Sequence, residues 1–145
     1  MDDKFKEKYH EMEHLNQQVK QAKQQLEHLS QQFNEIEYIV DSLEQLKEVK
    51  EGDEILAPVS NGIFIKAKVT DAKKLKVNVG TDTVVEKSVD ETKKLLTDQS
   101  TEIERVHSQI AERMEQLNMH ISQNEEEIKR LIKDYEDVQV SKGQD

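Results

Sequence analysis

The sequence of 145 residues has no cysteine or tryptophan, one proline, four glycines and six aromatic residues. Without cysteine, disulfides and thiolate metal sites are excluded. No stretch approaches ~18 apolar residues, and Met1 is followed by Asp-Asp-Lys, so we expect neither a membrane span nor a signal peptide. Hydrophobic residues make up only 34%, against roughly 45–50% in an ordinary globular domain. We therefore expect a cytoplasmic protein that is elongated or that completes its core with partners.

The net charge of −10 is unevenly distributed along the chain. Residues 1–50 carry −4, residues 51–88 are neutral, and residues 89–145 carry −6. Because an acidic surface repels phosphate backbones, we expect no nucleic-acid partner. We divide the chain at the same boundaries. We predict an N-terminal coiled-coil helix over 1–50, an assembly region over 51–88 and a C-terminal coiled-coil helix over 89–145.

Apolar residues of the first fifty positions recur at alternating gaps of three and four, which is a heptad repeat. Phe5 lies one heptad before the unbroken series. This series predicts a helix from about Lys4 to Lys50, ended by Gly52 in a left-handed conformation. The series consists of Met12, Leu15, Val19, Ala22, Leu26, Leu29, Phe33, Ile36, Val40 and Leu43.

The last third of the sequence also predicts a long helix with a repeating apolar series. Ser88 and Glu91 have the spacing of a capping box at the start of a helix. Asn124 occupies a core slot, where it either fixes the register or sits at a frayed, hydrated position. The apolar series comprises Leu96, Ile103, Val106, Ile110, Met114, Leu117, Ile121, Ile128, Leu131, Tyr135 and Val138.

Two helices of similar length on either side of a short segment predict an antiparallel coiled coil. Paired positions are then expected to have residue numbers that sum to about 140, as Leu43 with Leu96 and Phe5 with Tyr135 do. Met1 and Asp145 are expected to be neighbours, remote from the middle segment.

The middle segment changes to a period of two, which predicts four strands. Asn61-Gly62 predicts the turn of a first hairpin, and the region Gly80–Asp82 predicts the turn of a second. A segment of 38 residues falls below the ~40 residues that usually fold unaided. We expect hairpins from several chains to join in one barrel or sheet. The predicted assembly residues are Ile55, Leu56, Val59, Ile63, Ile65, Val77, Val79 and Val85.

His10-Glu-Met-Glu-His14 matches the H-E-x-x-H pattern of zinc hydrolases. The heptad places both histidines on the solvent face with no third ligand, so we predict no metal centre and no enzyme, with adventitious metal binding as the alternative. None of the glycines is followed by lysine, so no nucleotide motif and no cofactor are expected. Five lysines between Lys66 and Lys76 are interpreted as a solvated strand face, since only Phe64 is a nearby stacking aromatic.

Apolar side chains also lie at the helix ends far from the hairpins, where antiparallel pairing brings them together. They are either the last heptads of the coil or an exposed site that captures other proteins. The predicted client-binding residues are Phe5, Tyr9, Met12, Leu131, Ile132, Tyr135 and Val138.

The run from Glu54 to Val69 (EILAPVSNGIFIKAKV), the later Val77-Asn-Val-Gly80 and Val85-Glu-Lys-Ser88 resemble the α class of the prefoldin family, especially its archaeal form. The resemblance implies an α+β fold, a long antiparallel helical hairpin with two inserted β-hairpins that join into a β-barrel platform. It also implies a hexamer of two α and four β subunits that captures unfolded polypeptides without ATP and delivers them to a group II chaperonin. The chain departs from the family pattern at Asp82-Thr83-Val84. The alternative function is a passive coiled-coil scaffold that binds one folded partner.

Overall fold

A computed structural model describes residues 3–143 of the chain. Helix α1 spans Asp3–Gln45 and continues into a single 3₁₀ turn, Leu46–Glu48. Four strands follow, and helix α2 spans Val89–Gly143. The predicted α+β architecture is confirmed, whereas the expected neighbours Met1 and Asp145 lie outside the described residues. The strands are β1 (Glu54–Ser60), β2 (Ile63–Lys68), β3 (Lys74–Asn78) and β4 (Val84–Ser88).

The strands form two separate antiparallel hairpins, β1 with β2 and β3 with β4. The first turn falls at Asn61-Gly62, as predicted, with Gly62 at φ +76°. A register shift between Pro58 and Ser60 inserts a β-bulge in β1. Because each sheet has only two strands, every strand is an edge strand, which suits Pro58.

The end of α1 differs from the prediction, because the helix stops at Gln45 and Val49 is already extended. Gly52 does have a positive φ of +89°, but it belongs to a turn that leads into β1. In that turn the Lys50 N–H donates to Oδ2 of Asp53 at 2.8 Å, and the Asp53 N–H donates to the Lys50 carbonyl at 3.1 Å. The amides that would extend the helix are thus bonded within the turn, a local competition typical of aspartate.

The start of α2 carries the predicted cap. The Glu91 N–H donates to Oγ of Ser88 at 3.0 Å, which satisfies one of the free amides of the first turn. The Glu91 carboxylate accepts a hydrogen bond from the Ser88 hydroxyl at 3.2 Å. A capping box would instead direct this carboxylate to the Ser88 backbone amide.

The chain divides into two compact units, one made of residues up to Ser30 and from Arg105 onward, the other of Gln31–Glu104. In the first unit, α1 and α2 run antiparallel. Lys8 Nζ lies 2.7 Å from Oε2 of Glu127, and Nε2 of His120 lies 3.3 Å from Oε1 of Glu11.

In the second unit, the adjoining parts of the helices are also antiparallel and precede and follow the hairpins. Lys93 forms an ion pair with Glu44, and the Ser100 hydroxyl donates to Oε1 of Glu37 at 3.5 Å. The residue numbers of the Glu11–His120, Lys8–Glu127 and Glu44–Lys93 pairs sum to 131, 135 and 137. These sums fall below the predicted value of about 140 by up to about two and a half helical turns.

The seams between the helices bury Leu15, Ala22 and Leu43, all three in the predicted heptad series. Asn124 is the most completely buried large side chain, with 1% exposure, and its Nδ2 has no hydrogen-bond partner among the described residues. This burial argues against the frayed, exposed position for Asn124. A buried amide donor without a partner is costly to the fold.

Candidate protein-binding surfaces

The first hairpin, β1 with β2, is apolar on both faces. Ile55 lies opposite Ala67 and Ala57 opposite Ile65, so these side chains share one face. Pro58 lies opposite Phe64 on the other face, next to Leu56. Ile55, Leu56, Ile63, Phe64 and Ile65 are all exposed large hydrophobic side chains. A two-stranded sheet with these two faces requires cover on both sides.

The second hairpin, β3 with β4, has two different faces. Val77 lies opposite Val85, and both are half-buried. On the other face, Nζ of Lys76 lies 2.6 Å from Oε1 of Glu86. This hydrogen bond lowers the pKa of Glu86 below its usual range. The second hairpin therefore offers one apolar face with Val77 and Val85, and a second face on which exposed Val84 lies beside the Lys76–Glu86 pair. The second face agrees with the interpretation of Lys76 as a surface lysine.

The turn of the second hairpin contains the residues that depart from the family pattern. Thr81 and Asp82 have φ values of +45° and +57°, and the Thr83 N–H donates to the Gly80 carbonyl at 2.9 Å. Positive φ at both central positions is the signature of a type I′ turn. Strand β3 ends at Asn78, so Val79, predicted within the strand, lies in the loop, where its N–H donates to the Thr83 carbonyl at 3.0 Å.

The structure brings six of the seven predicted client-binding residues together at the end of the first unit, and we call this group the tip surface. The rings of Phe5 and Tyr9 stack with centroids 6.4 Å apart and an interplanar angle of 19°. Phe5 also lines a hollow of about 350 Å³ with residues of α2. The other residues that line this hollow are Lys4, Leu131, Ile132, Asp134, Tyr135 and Val138. The seventh predicted residue, Met12, does not line the same hollow.

Exposure varies across the tip surface. Tyr9, Ile132, Tyr135 and Val138 are exposed, whereas Phe5 and Leu131 are half-buried, as is Met12 outside this surface. Lys8 and Glu127 form an ion pair near the tip surface. Their hydrogen bond stabilises the charged form of each side chain, so it lowers the pKa of Glu127 and raises the pKa of Lys8. The arrangement presents apolar groups beside a charged rim.

Several exposed apolar residues were missed by the sequence analysis. Phe64 and Val84 extend the hairpin surfaces, and Val140 lies beyond the tip series. The period of two already placed Phe64 on a strand face, so that residue was recognisable. Tyr38 and Ile39 on α1 are also exposed, and they lie outside the heptad series.

Both histidines of the H-E-x-x-H motif are exposed on α1, as predicted. Nδ1 of His10 lies 3.7 Å from Oε2 of Glu13 with both side chains exposed, and Nε2 of His14 lies 3.3 Å from Gln18 Nε2. Within residues 3–143 no group of three or more His, Cys, Asp or Glu side chains has the geometry of a metal site. In the same range, no helix combines the length and hydropathy required to cross a membrane.

Comparison with known proteins gives a consistent result. A prefoldin-subunit family model matches residues 15–134. The prefoldin subunit alpha of Methanococcus aeolicus is 32% identical over 89 residues, which are 61% of this chain and 60% of that protein. That of Methanococcus vannielii is 27% identical over 131 residues, covering 78% of this chain and 88% of that protein. The matches to the first three relatives cover 52–63% of their lengths.

The fold matches as well. A chain of filamentous PFD from Methanocaldococcus jannaschii, solved by cryo-electron microscopy, superposes with a TM-score of 0.70 at 20% identity. The superposition covers 77% of this chain and 93% of that chain. The chain belongs to the prefoldin family of chaperone subunits. Its two hairpins and its archaeal relatives place it in the α class of that family.

Proposed function

We propose that this chain is the α subunit of an ATP-independent holdase that captures unfolded polypeptides at its tip surface. The exposed apolar hollow beside the Phe5–Tyr9 stack carries this proposal, because contiguous exposed apolar groups on a polar protein mark interaction sites. Non-directional apolar contacts suit clients that share no fold or sequence. Several tips in one assembly would strengthen weak binding by raising the effective concentration.

The proposed assembly is a hexamer with four β subunits, formed through the hairpins. The two apolar faces of the first hairpin and the one apolar face of the second support this part of the proposal. All eight predicted assembly residues lie in or next to these hairpins. Transfer of the client to a group II chaperonin, and a cytoplasmic location, complete the proposal by analogy with the family.

The proposal is tested by light scattering with two unrelated denatured clients, with and without a cognate β subunit. Replacement of Phe5, Tyr9, Leu131 and Tyr135 by serine is expected to leave the assembled mass unchanged and to weaken suppression of aggregation. Met119→Ser, an exposed apolar residue of α2 outside the tip surface, is the matched control. Unchanged suppression in the fourfold variant would refute client capture at the tip.

The passive scaffold remains the second candidate, since exposed apolar ends of a coiled coil also fit one folded partner. A scaffold would bind one partner in fixed stoichiometry and would not protect unrelated denatured proteins. The two-client measurement therefore separates a holdase from a scaffold in the same experiment.

A further inference from the structure

A second exposed apolar group lies on α1 in the second unit, and we call it the Tyr38 patch. Tyr38 is 75% exposed, and Ile39 beside it is also exposed. Together with Asn34 and Glu35 they line a shallow hollow. In the heptad series Ile36 and Val40 are seam positions, so Tyr38 falls on the face of the helix opposite the seam. Tyrosine at such a position contributes nothing to the coiled coil.

On α1 itself, the charged side chains around this patch are all acidic. The segment Gln31–Gln45 contains four carboxylates and neither lysine nor arginine. Glu44 is paired with Lys93 of α2, and the charge of Asp41 also acts on Lys93. Glu35 lies in the patch itself, and Asp41 is three residues, about one turn, after Tyr38. No residue in the described range 3–143 forms an ion pair with Glu35. An aromatic face with carboxylates beside it attracts a cation through both the ring quadrupole and the net charge.

We propose that the Tyr38 patch docks segments of unfolded polypeptide in which lysine or arginine alternates with apolar residues. This inference rests on the proposed holdase function and adds a client class to it. Ile39 would contact the apolar side chains, Tyr38 would stack with the cationic group, and the carboxylates of Glu35 and Asp41 would complement the charge. The tip surface, whose rim carries both Lys4 and Asp134, has no such preference for one sign of charge.

The test uses the full chain, assembled with cognate partners, in the background of the four tip substitutions so that the tip does not contribute. Two labelled unstructured peptides share the same aromatic and aliphatic residues, and one carries lysines where the other carries glutamates. Fluorescence anisotropy is expected to show tighter binding of the lysine peptide. Adding Tyr38→Ser and Ile39→Ser is expected to weaken it about tenfold, equivalent to about 1.4 kcal/mol.

Two matched variants identify the source of the affinity. Glu35→Gln with Asp41→Asn keeps the apolar groups and is expected to weaken only the lysine peptide and to flatten its dependence on salt. Met119→Ser, which removes an exposed apolar side chain elsewhere, is expected to change neither peptide.

The inference fails if the two peptides bind equally or if the Tyr38 and Ile39 variant binds the lysine peptide as the parent does. A change in assembled mass on substitution of Tyr38 and Ile39 would also overturn it, because the patch would then be a contact between subunits. Aggregation suppression by the unsubstituted protein is measured in parallel. Its absence would reject the proposed holdase function, while the peptide titrations decide the Tyr38 patch separately.

Discussion

The helices and the strands of this chain bury their apolar side chains to very different extents. Leu15, on the seam between α1 and α2, is 5% exposed, whereas Leu56 of the first hairpin is 64% exposed. Both residues belong to a regular apolar pattern, and both were predicted to be buried against something. The difference teaches that the helices find their partner within the chain, while the strands leave apolar surfaces exposed, which we propose other chains cover.

The largest expected effect is the loss of subunit assembly when apolar residues of the strands are replaced by serine. Ile65→Ser and Phe64→Ser, on opposite faces of the first hairpin, are each expected to weaken assembly about tenfold or more, since an unburied side chain of this size forfeits about 1.5–3 kcal/mol. In the second hairpin the same effect is expected on the face shared by Val77 and Val85, and it is tested with Val77→Ser. Sedimentation velocity with cognate subunits measures the effect. Lys76→Ser, on the other face of that hairpin, serves as the control, and a loss as large as that of Val77→Ser would contradict the two-face description.

A substitution on the seam between the helices is expected to lower the stability of the fold and to leave subunit assembly unchanged. Leu15→Ala leaves a cavity inside the helical pair and is expected to lower the free energy of unfolding by about 2–5 kcal/mol without changing how the subunits associate. Circular dichroism melting of the assembled protein measures it. Met119→Ala, at an exposed position of α2, is the matched change and is expected to stay within about 0.5 kcal/mol.

Asn124 is the most completely buried of the polar side chains in the described helices. Asn124→Leu removes an unpaired buried Nδ2 and is expected to raise the free energy of unfolding by about 1–3 kcal/mol. Thermal unfolding measures the change, with Asn118→Leu, an exposed asparagine on the same helix, as the control. Destabilisation by Asn124→Leu would show that the amide specifies the pairing of the helices.

A substitution in the turn of the second hairpin is expected to have a smaller effect on stability. Thr81 has a positive φ, which is unfavourable for a β-branched residue and tolerated by asparagine. Thr81→Asn is expected to stabilise the protein by about 0.5–1 kcal/mol. Chemical denaturation measures this, and Thr83→Asn, at a position without positive φ, is expected to give no gain. Equal effects of both substitutions would refute the strain at Thr81.

The smallest effect concerns the exposed ion pairs of the helices. The pKa of Glu127 beside Lys8, like that of Glu44 beside Lys93, is lowered in the folded chain. Their contribution is therefore present above the unfolded carboxyl pKa of about 4.3 and is lost as the pH falls through the lower folded value. We expect the melting temperature of Lys8→Met to approach that of the parent as the pH falls below about 4.

A matched variant controls for the loss of one positive charge. Lys129→Met removes an exposed lysine of α2 and is expected to show no such convergence with pH. High salt is expected to reduce the difference between Lys8→Met and the parent at neutral pH, because exposed pairs are screened. A difference that persists unchanged at low pH would contradict the assignment to Glu127.

Much of the fold was predictable because regular spacing directly encodes which residues share a face. The heptads predicted both helices, the period of two predicted both hairpins, and Ser88 marked the start of α2. The end of α1 was predicted wrongly, since the bonds of Asp53 to Lys50 depend on backbone geometry that a run of helix-forming residues does not reveal. Tyr38 was missed because the heptad pattern identifies residues of the buried face and not an exposed residue on the opposite face.

The sequence alone determined the secondary structure and most residues of the tip and hairpin surfaces, because these depend on local periodicity. It also determined the antiparallel order of the helices, because two helices of similar length follow one another across a short segment. Only the tertiary structure decided that Asn124 is buried without a partner, that Phe64 and Leu56 are uncovered on the second face of their hairpin, and that Phe5 stacks on Tyr9. The physical reason is that the burial of a residue depends on its contacts with distant parts of the chain. The spacing of neighbouring residues in the sequence does not specify these contacts.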